Sequence, residues 1–208
     1  MKIKKLFLMT AAVFSAGTIF AAENTVKLPA PQREGGMPLM QALNERSTKR
    51  VYLKTELTNQ QISNLLWSAN GVNRDNGKRT APSAVNRREI ELYLLDSKAV
   101  FKYDAEKNTL KKIQDGDFRK WAGQFDAPVY VALVGDLKKA VNADYARIDA
   151  GYVSQNIYLY CTSAGLGTCA IGSFSRIAGS GKGKMLADAL KLNKKQMVIL
   201  THSVGTVK

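Results

Sequence analysis

The sequence predicts an α+β domain, on three observations. Short β-prone runs cluster at Ile90–Leu95, Val100–Tyr103 and Thr109–Ile113. A buried strand, Val129–Val134, is followed by one long helical stretch, Asn142–Ala164. The two kinds of element mix without the regular βαβ alternation of a parallel fold. At 208 residues the chain is long enough for one domain with a real core.

The first 22 residues read apart from that domain. Lys2, Lys4 and Lys5 precede the apolar run Leu6–Phe20, and Ala21-Ala22 precede the polar Glu23-Asn24. This is the pattern of a secretory leader cleaved after Ala21 or Ala22, the alternative being a retained N-terminal anchor. The run is short for a membrane span, which needs about 20 residues. The expected location is periplasmic or secreted. Removing the three leader lysines from the formal charge of +14 leaves +11. Such a surface attracts anions, but its basic residues are scattered pairs without a nucleic-acid motif.

Residues 23–36, with Pro29, Pro31, Gly35 and Gly36, read as an extended arm, neither helix nor strand. Met37–Asn44 is a short helix with Leu39, Ala42 and Leu43 on one side. Thr58 and Gln61 form a capping box for the next helix, which carries Ile62, Leu65, Leu66 and Ala69 and ends at Gly71. Asn73–Arg88 is a long polar loop, and loops of that length are often functional. Asp104–Asn108 turns between two of the β runs, Asp117–Gln124 is a short helix, and Pro128 opens the buried strand. Thr168–Ile171 is a strand, Gly179–Lys184 a flexible loop, Lys184–Leu192 a helix, Gln196–Thr201 a last strand and Val204–Lys208 a tail.

Several chemistries are excluded or disfavoured. Gly165-x-Gly167-x-x-Ala170 fits the dinucleotide fingerprint in letters, but a helix precedes it and a strand follows, the reverse of what that site requires. Gly165 is better read as a helix C-cap. No His, Cys, Asp or Glu cluster suits a metal. His202, the single histidine, has no acid or cysteine at useful spacing and reads as structural. Cys161 and Cys169 read as buried free thiols, with a disulfide as the alternative.

Three segments remain. Arg46-Ser47-Thr48-Lys49-Arg50-Val51-Tyr52 spaces two guanidinium forks around a hydroxyl, a set that suits a phosphate. Ala81-Pro82-Ser83-Ala84-Val85-Asn86 offers an amide that donates and accepts at once. Gly172-Ser173 turns after the strand, where glycine lets backbone approach a flat ligand.

In this order the segments resemble the nitroreductase-like flavoproteins, from about Met37 to Lys208. The resemblance implies a central, mostly antiparallel sheet flanked by helices, a homodimer, and FMN as cofactor. Arg46, Thr48 and Arg50 would hold the FMN phosphate and ribityl chain, with Thr48 and Tyr52 standing where the family usually has serine and phenylalanine. Pro82, Ser83 and Asn86 would lie on the flavin of the partner subunit. Gly172 and Ser173 would face flavin N5, and Lys208 would reach the phosphate. No protein side chain is expected to be catalytic, because the flavin carries hydride through N5. Pro38-Leu39-Met40, Leu66–Arg74 and the Ala81-Pro82-Ser83 loop look most like the branch of peptide-azoline dehydrogenases. The implied protein is an exported oxidoreductase acting on a small molecule or peptide, with an unassigned electron donor. The competing reading is an exported module that binds flavin or another anion without turnover.

Overall fold

The computed structural model describes residues 24–172 and 181–207. The expectations for the leader, Ser173 and Lys208 lie outside the described residues. Seven strands form one antiparallel sheet: β1 (Thr25–Lys27), β2 (Ile90–Leu95), β3 (Ala99–Asp104), β4 (Thr109–Asp115), β5 (Val129–Asp136), β6 (Leu166–Ile171) and β7 (Gln196–Thr206). Their spatial order is β1-β4-β3-β2-β5-β7-β6. The helices are α1 (Leu39–Glu45), α2 (Asn59–Asn70), α3 (Arg119–Ala122), α4 (Ala143–Ser163) and α5 (Gly181–Ala189). The α+β expectation holds.

Strand β5 shows why both faces of the sheet are covered. Successive side chains of a strand point to opposite faces. Val129, Val131 and Leu133 join one core with Leu65 and Leu66 of α2 and Ala150, Val153 and Ile157 of α4. Tyr130, Ala132 and Val134 join the other, with Ala122 of α3 and Leu186 of α5. A strand buried on both faces reads as a continuous apolar run, and so it does here.

Local chemistry sets the helix ends. Thr58 Oγ1 accepts from the Gln61 N–H at 3.2 Å, and Gln61 Oε1 accepts from the Thr58 N–H at 2.9 Å, which completes the expected capping box on α2. The Asn142 side chain caps α4 by accepting from the N–H groups of Asp144 and Tyr145. Past the other end of α4, Gly165 has φ +66°, the left-handed conformation expected of it. Gly71 ends α2 for a different reason. Its backbone is extended, and a Cβ there would strike the Trp67 ring.

Four expectations need correction. Part of the arm is a strand, since Thr25–Lys27 pairs with β4. Strand β7 runs through Thr206, so residues 204–206 are not tail; pairing of all three with β6, and of Val204 with β5 as well, keeps them extended. Helix α5 begins at Gly181, within the stretch read as a loop, and packs Leu186 and Ala189 inward, with Leu190 buried just past its end. On α1 only Ala42 is buried; Leu39, Met40 and Leu43 face outward.

Candidate functional site

The Arg46–Tyr52 segment leaves α1 and runs across one end of the sheet. Arg46 still closes the helix, its N–H donating to Ala42 O at 2.9 Å. The Lys49 N–H then donates to Thr168 O of β6 at 3.0 Å, and the Leu53 N–H donates to Thr206 O of β7 at 2.8 Å. These two bonds fix the segment over the β6–β7 ladder, where Gly167 and Gly205 are directly opposite each other. Both glycines are needed for close approach. A Cβ on Gly167 would meet the Lys49 side chain at 2.8 Å, and one on Gly205 would meet Pro128 at 2.6 Å and the Tyr52 ring at 3.1 Å.

Side chains complete the attachment. The Tyr52 hydroxyl donates to Lys49 O at 2.6 Å and lies 2.7 Å from Ser203 Oγ. Burial pushes its pKa up, so it stays a phenol. Thr48 Oγ1 lies 3.2 Å from the Tyr158 hydroxyl, which also accepts from the Ala170 N–H at 3.0 Å. The Arg46 guanidinium lies 5.3 Å from the centre of the Tyr158 ring, at cation–π distance. Tyr158 of α4 therefore links the segment to the end of β6, two residues before Gly172. Arg50 is exposed. Among the described residues neither Arg46 nor Arg50 has a carboxylate partner.

His202 lies under Tyr158, fully buried. Its Nε2 is 2.8 Å from Ser154 Oγ, its Nδ1 is 2.9 Å from Thr168 Oγ1, and the Tyr158 ring meets it edge-on at 5.2 Å. Burial brings its pKa down to about 3, so the ring is neutral. It ties α4 to β6 and β7, the structural role expected of it. Cys161 and Cys169 are free and buried, also as expected.

The Pro82–Asn86 loop is elsewhere on the chain. It is a short 3-10 turn at Ala84–Asn86 in which Val85, Asn86 and, just after, Arg88 all have φ near +50°. For a β-branched residue such as Val85 this costs on the order of 1–3 kcal/mol. The turn is held from inside: the Ala84 N–H donates to Asp149 Oδ2 of α4 at 2.8 Å, and the Arg88 N–H donates to Ser83 Oγ at 2.9 Å. Pro82, Val85 and Asn86 face outward. Asp149 and Tyr158 are nine residues apart on α4, about 13 Å at 1.5 Å per residue. Within one chain the structure brings Arg46, Thr48 and the Ala170 end of β6 together around Tyr158, and leaves Pro82, Ser83 and Asn86 in another region.

Sequence reasoning missed Tyr158 and the Gly167–Gly205 pair. Glycines inside strands were the available signal, since they mark close backbone approach. Among the described residues no cluster of three His, Cys, Asp or Glu could hold a metal, and no helix is long and apolar enough to cross a membrane.

Comparison with known proteins follows this geometry. The crystal structure of a "putative nitroreductase" from Ralstonia eutropha JMP134 superposes with a TM-score of 0.80 at 31% identity, covering 98% of this chain and 96% of that one. A Methanocaldococcus jannaschii protein of the same descriptive name is 27% identical over 171 residues, 73% of this chain and 86% of its own. A related structure from Desulfovibrio desulfuricans, solved in complex with FMN, has a TM-score of 0.59 at 18% identity and covers 82% of this chain and 87% of that one, a likeness of fold. The family model described as "Nitroreductase family" matches residues 43–206, most of the chain, which therefore belongs to the nitroreductase family.

Proposed function

We propose that this protein is an exported, homodimeric, FMN-dependent oxidoreductase. One observation carries the cofactor assignment. The Arg46–Tyr52 segment is pinned by backbone bonds over the Gly167–Gly205 pair, and it presents two arginines that no carboxylate of the described residues neutralises. Guanidinium forks and a threonine hydroxyl are the donor set a terminal phosphate requires. The FMN complex of the Desulfovibrio desulfuricans neighbour supports the same choice.

When bound, the flavin supplies hydride transfer through N5. The chain's residues do the rest. Arg46 and Arg50 bind the phosphate, and Thr48 orients the ribityl chain from its place beside Tyr158. Tyr158 and His202 hold this wall rigid. Asn86, on its outward-facing turn, contributes an amide to the flavin of a partner subunit. The separation of the two segments along α4 favours that arrangement, as does the exposed stripe Tyr145, Ile148 and Tyr152 on the same helix. Ser173 and Lys208 complete the proposed contacts. The likeness to peptide-azoline dehydrogenases, in Pro38-Leu39-Met40 and Leu66–Arg74, favours a small-molecule or peptide substrate. The basic start and apolar run of residues 2–20, followed by Ala21-Ala22, support the export part of this reading.

Colour and chromophore identity test the reading. Purified protein is expected to absorb in the blue and to release FMN on denaturation. Release of FAD, or no flavin after reconstitution with FMN, would overturn it.

A further inference from the structure

Away from the cofactor segment, at the β4-β3-β2 end of the sheet, lies a cavity of about 470 Å³. Its floor is apolar: Ile90 and Leu92 of β2 and Tyr103 of β3 line it and are buried. Its wall carries two arginines, Arg79 and Arg88. Among the described residues neither forms an ion pair. Arg79 is half-buried, and its Nε is sealed from solvent without a hydrogen-bond partner. Its one side-chain bond is a long one, Nη1 donating to Asn70 O at 3.4 Å. The Arg88 guanidinium likewise makes one long bond, to Gly77 O at 3.3 Å.

The acids around the cavity do not neutralise this pair. Glu91 is occupied by Lys102 at 2.8 Å, by Lys139 at 3.4 Å and by Gln196 at 2.6 Å. Asp104 Oδ1 accepts from the N–H groups of Glu106 and Lys107 in its own turn. Asp104 and Glu106 attract Arg79 only from beyond ion-pair distance, and burial together with the Arg88 charge lowers its pKa. Among the described residues this half-buried guanidinium, beside a second one, has no carboxylate within ion-pair distance. An oxyanion between them would accept from both forks.

We infer that this cavity is a binding site for a small organic oxyanion, a carboxylate or phosphate bridging Arg79 and Arg88 with its apolar body against Ile90, Leu92 and Tyr103. Its anion-binding side chains, Arg79 and Arg88, are not among the proposed flavin contacts, and the inference does not rest on the cofactor assignment. Occupancy has a route to the rest of the molecule, because the Arg88 N–H holds Ser83 Oγ in the Pro82–Asn86 turn.

Calorimetric titration of the purified full-length mature protein with phenyl phosphate, and separately with benzoate, tests this. At least one of the two is expected to bind saturably at one site per chain, and which binds tighter assigns the oxyanion. Phenol, the neutral analogue, is expected not to bind. Arg79→Gln and Arg88→Gln should each weaken binding at least tenfold with an unchanged melting temperature. No side-chain nitrogen of Arg88 is sealed from solvent without a partner, as Arg79 Nε is, so Arg88→Gln decides the matter if Arg79→Gln fails to fold. Arg46→Ala should leave the binding intact. Absence of saturable binding of both anions, equal binding by phenol, persistence in the folded variants, or loss in Arg46→Ala instead would each overturn the inference.

Discussion

Glu89 and Asp149 are neighbouring carboxyls, both sealed from solvent beneath the Ala81–Arg88 loop. Asp149 has a donor, the Ala84 N–H. Glu89 has none: neither of its oxygens meets a hydrogen-bond donor. Its polar neighbour is an acceptor like itself, so the bond open to the pair is one that Glu89 donates when protonated. Burial first, and then that bond and the Asp149 charge, push the Glu89 pKa up to about 7.

This pair predicts a pH dependence with a definite sign. From the ordinary value of 4.5 up to about 7, folded Glu89 keeps a proton that the unfolded chain has lost. The unfolded state then binds fewer protons, so this group's contribution makes stability fall as pH rises through that window. The total is on the order of 3 kcal/mol, from about 1.4 kcal/mol per pH unit of displacement. His202 opposes it. With its pKa down at about 3, it makes stability rise from there to about 6.5. The wild-type profile therefore hides both terms, and the difference from Glu89→Gln exposes one. That variant should gain about 1–3 kcal/mol relative to wild type between pH 4.5 and pH 8. Urea denaturation of both proteins across this range checks it; a constant difference would rule the assignment out.

The cofactor segment predicts a selective loss. Arg46→Ala and Arg50→Ala should each weaken FMN binding by about 1.5–3 kcal/mol, the range for hydrogen bonds to a charged group. Riboflavin, lacking the phosphate, should respond far less. Fluorescence titration with both ligands distinguishes this from a folding defect, which would weaken the two equally.

What was legible in the sequence was what local chemistry decides. Thr58 and Gln61 announce a helix start because the capping box needs only neighbours in the chain. Val129–Val134 reads as a strand because both of its faces are apolar. Residues 204–206 did not, since their extended state comes from partners far away in sequence. Gly181 and Gly183 are poor helix formers, and burial of Leu186 and Leu190 overrides that propensity. The site divides the same way. Arg46-x-Thr48-x-Arg50 is a spacing and can be read, whereas Tyr158 and the facing glycines acquire their roles from contacts across the fold.

Those glycines can be tested directly. Gly205→Ala places a methyl group where Pro128 and Tyr52 already are. Overpacking of this kind costs about 1–3 kcal/mol. The displaced Tyr52 carries the Lys49 end of the cofactor segment with it, so flavin affinity should fall together with stability. Differential scanning fluorimetry and FMN titration of the same preparation check both. An unchanged melting temperature would show that the segment has room to spare over β7.

The last prediction concerns assembly. Tyr145, Ile148 and Tyr152 repeat at helical spacing on α4 and stay 45–52% exposed in a single chain. Leu39 and Met40 of α1 are exposed as well, at 63% and 76%. Packing two such surfaces across a twofold axis would bury them and bring the Pro82–Asn86 turn of one subunit toward the Arg46–Arg50 segment of the other. Obligate interfaces of this kind bury about 2,000–5,000 Å². Tyr152→Glu places a charge in the middle of the stripe and alters no contact named in the proposed flavin site. It should yield monomers and release FMN, although Arg46, Thr48 and Arg50 are intact. Light scattering on the yellow protein, with flavin absorbance followed on dilution, measures both at once. A monomer of no more than the 22.8 kDa of the full chain that keeps its FMN on dilution would show each site to be complete within one subunit.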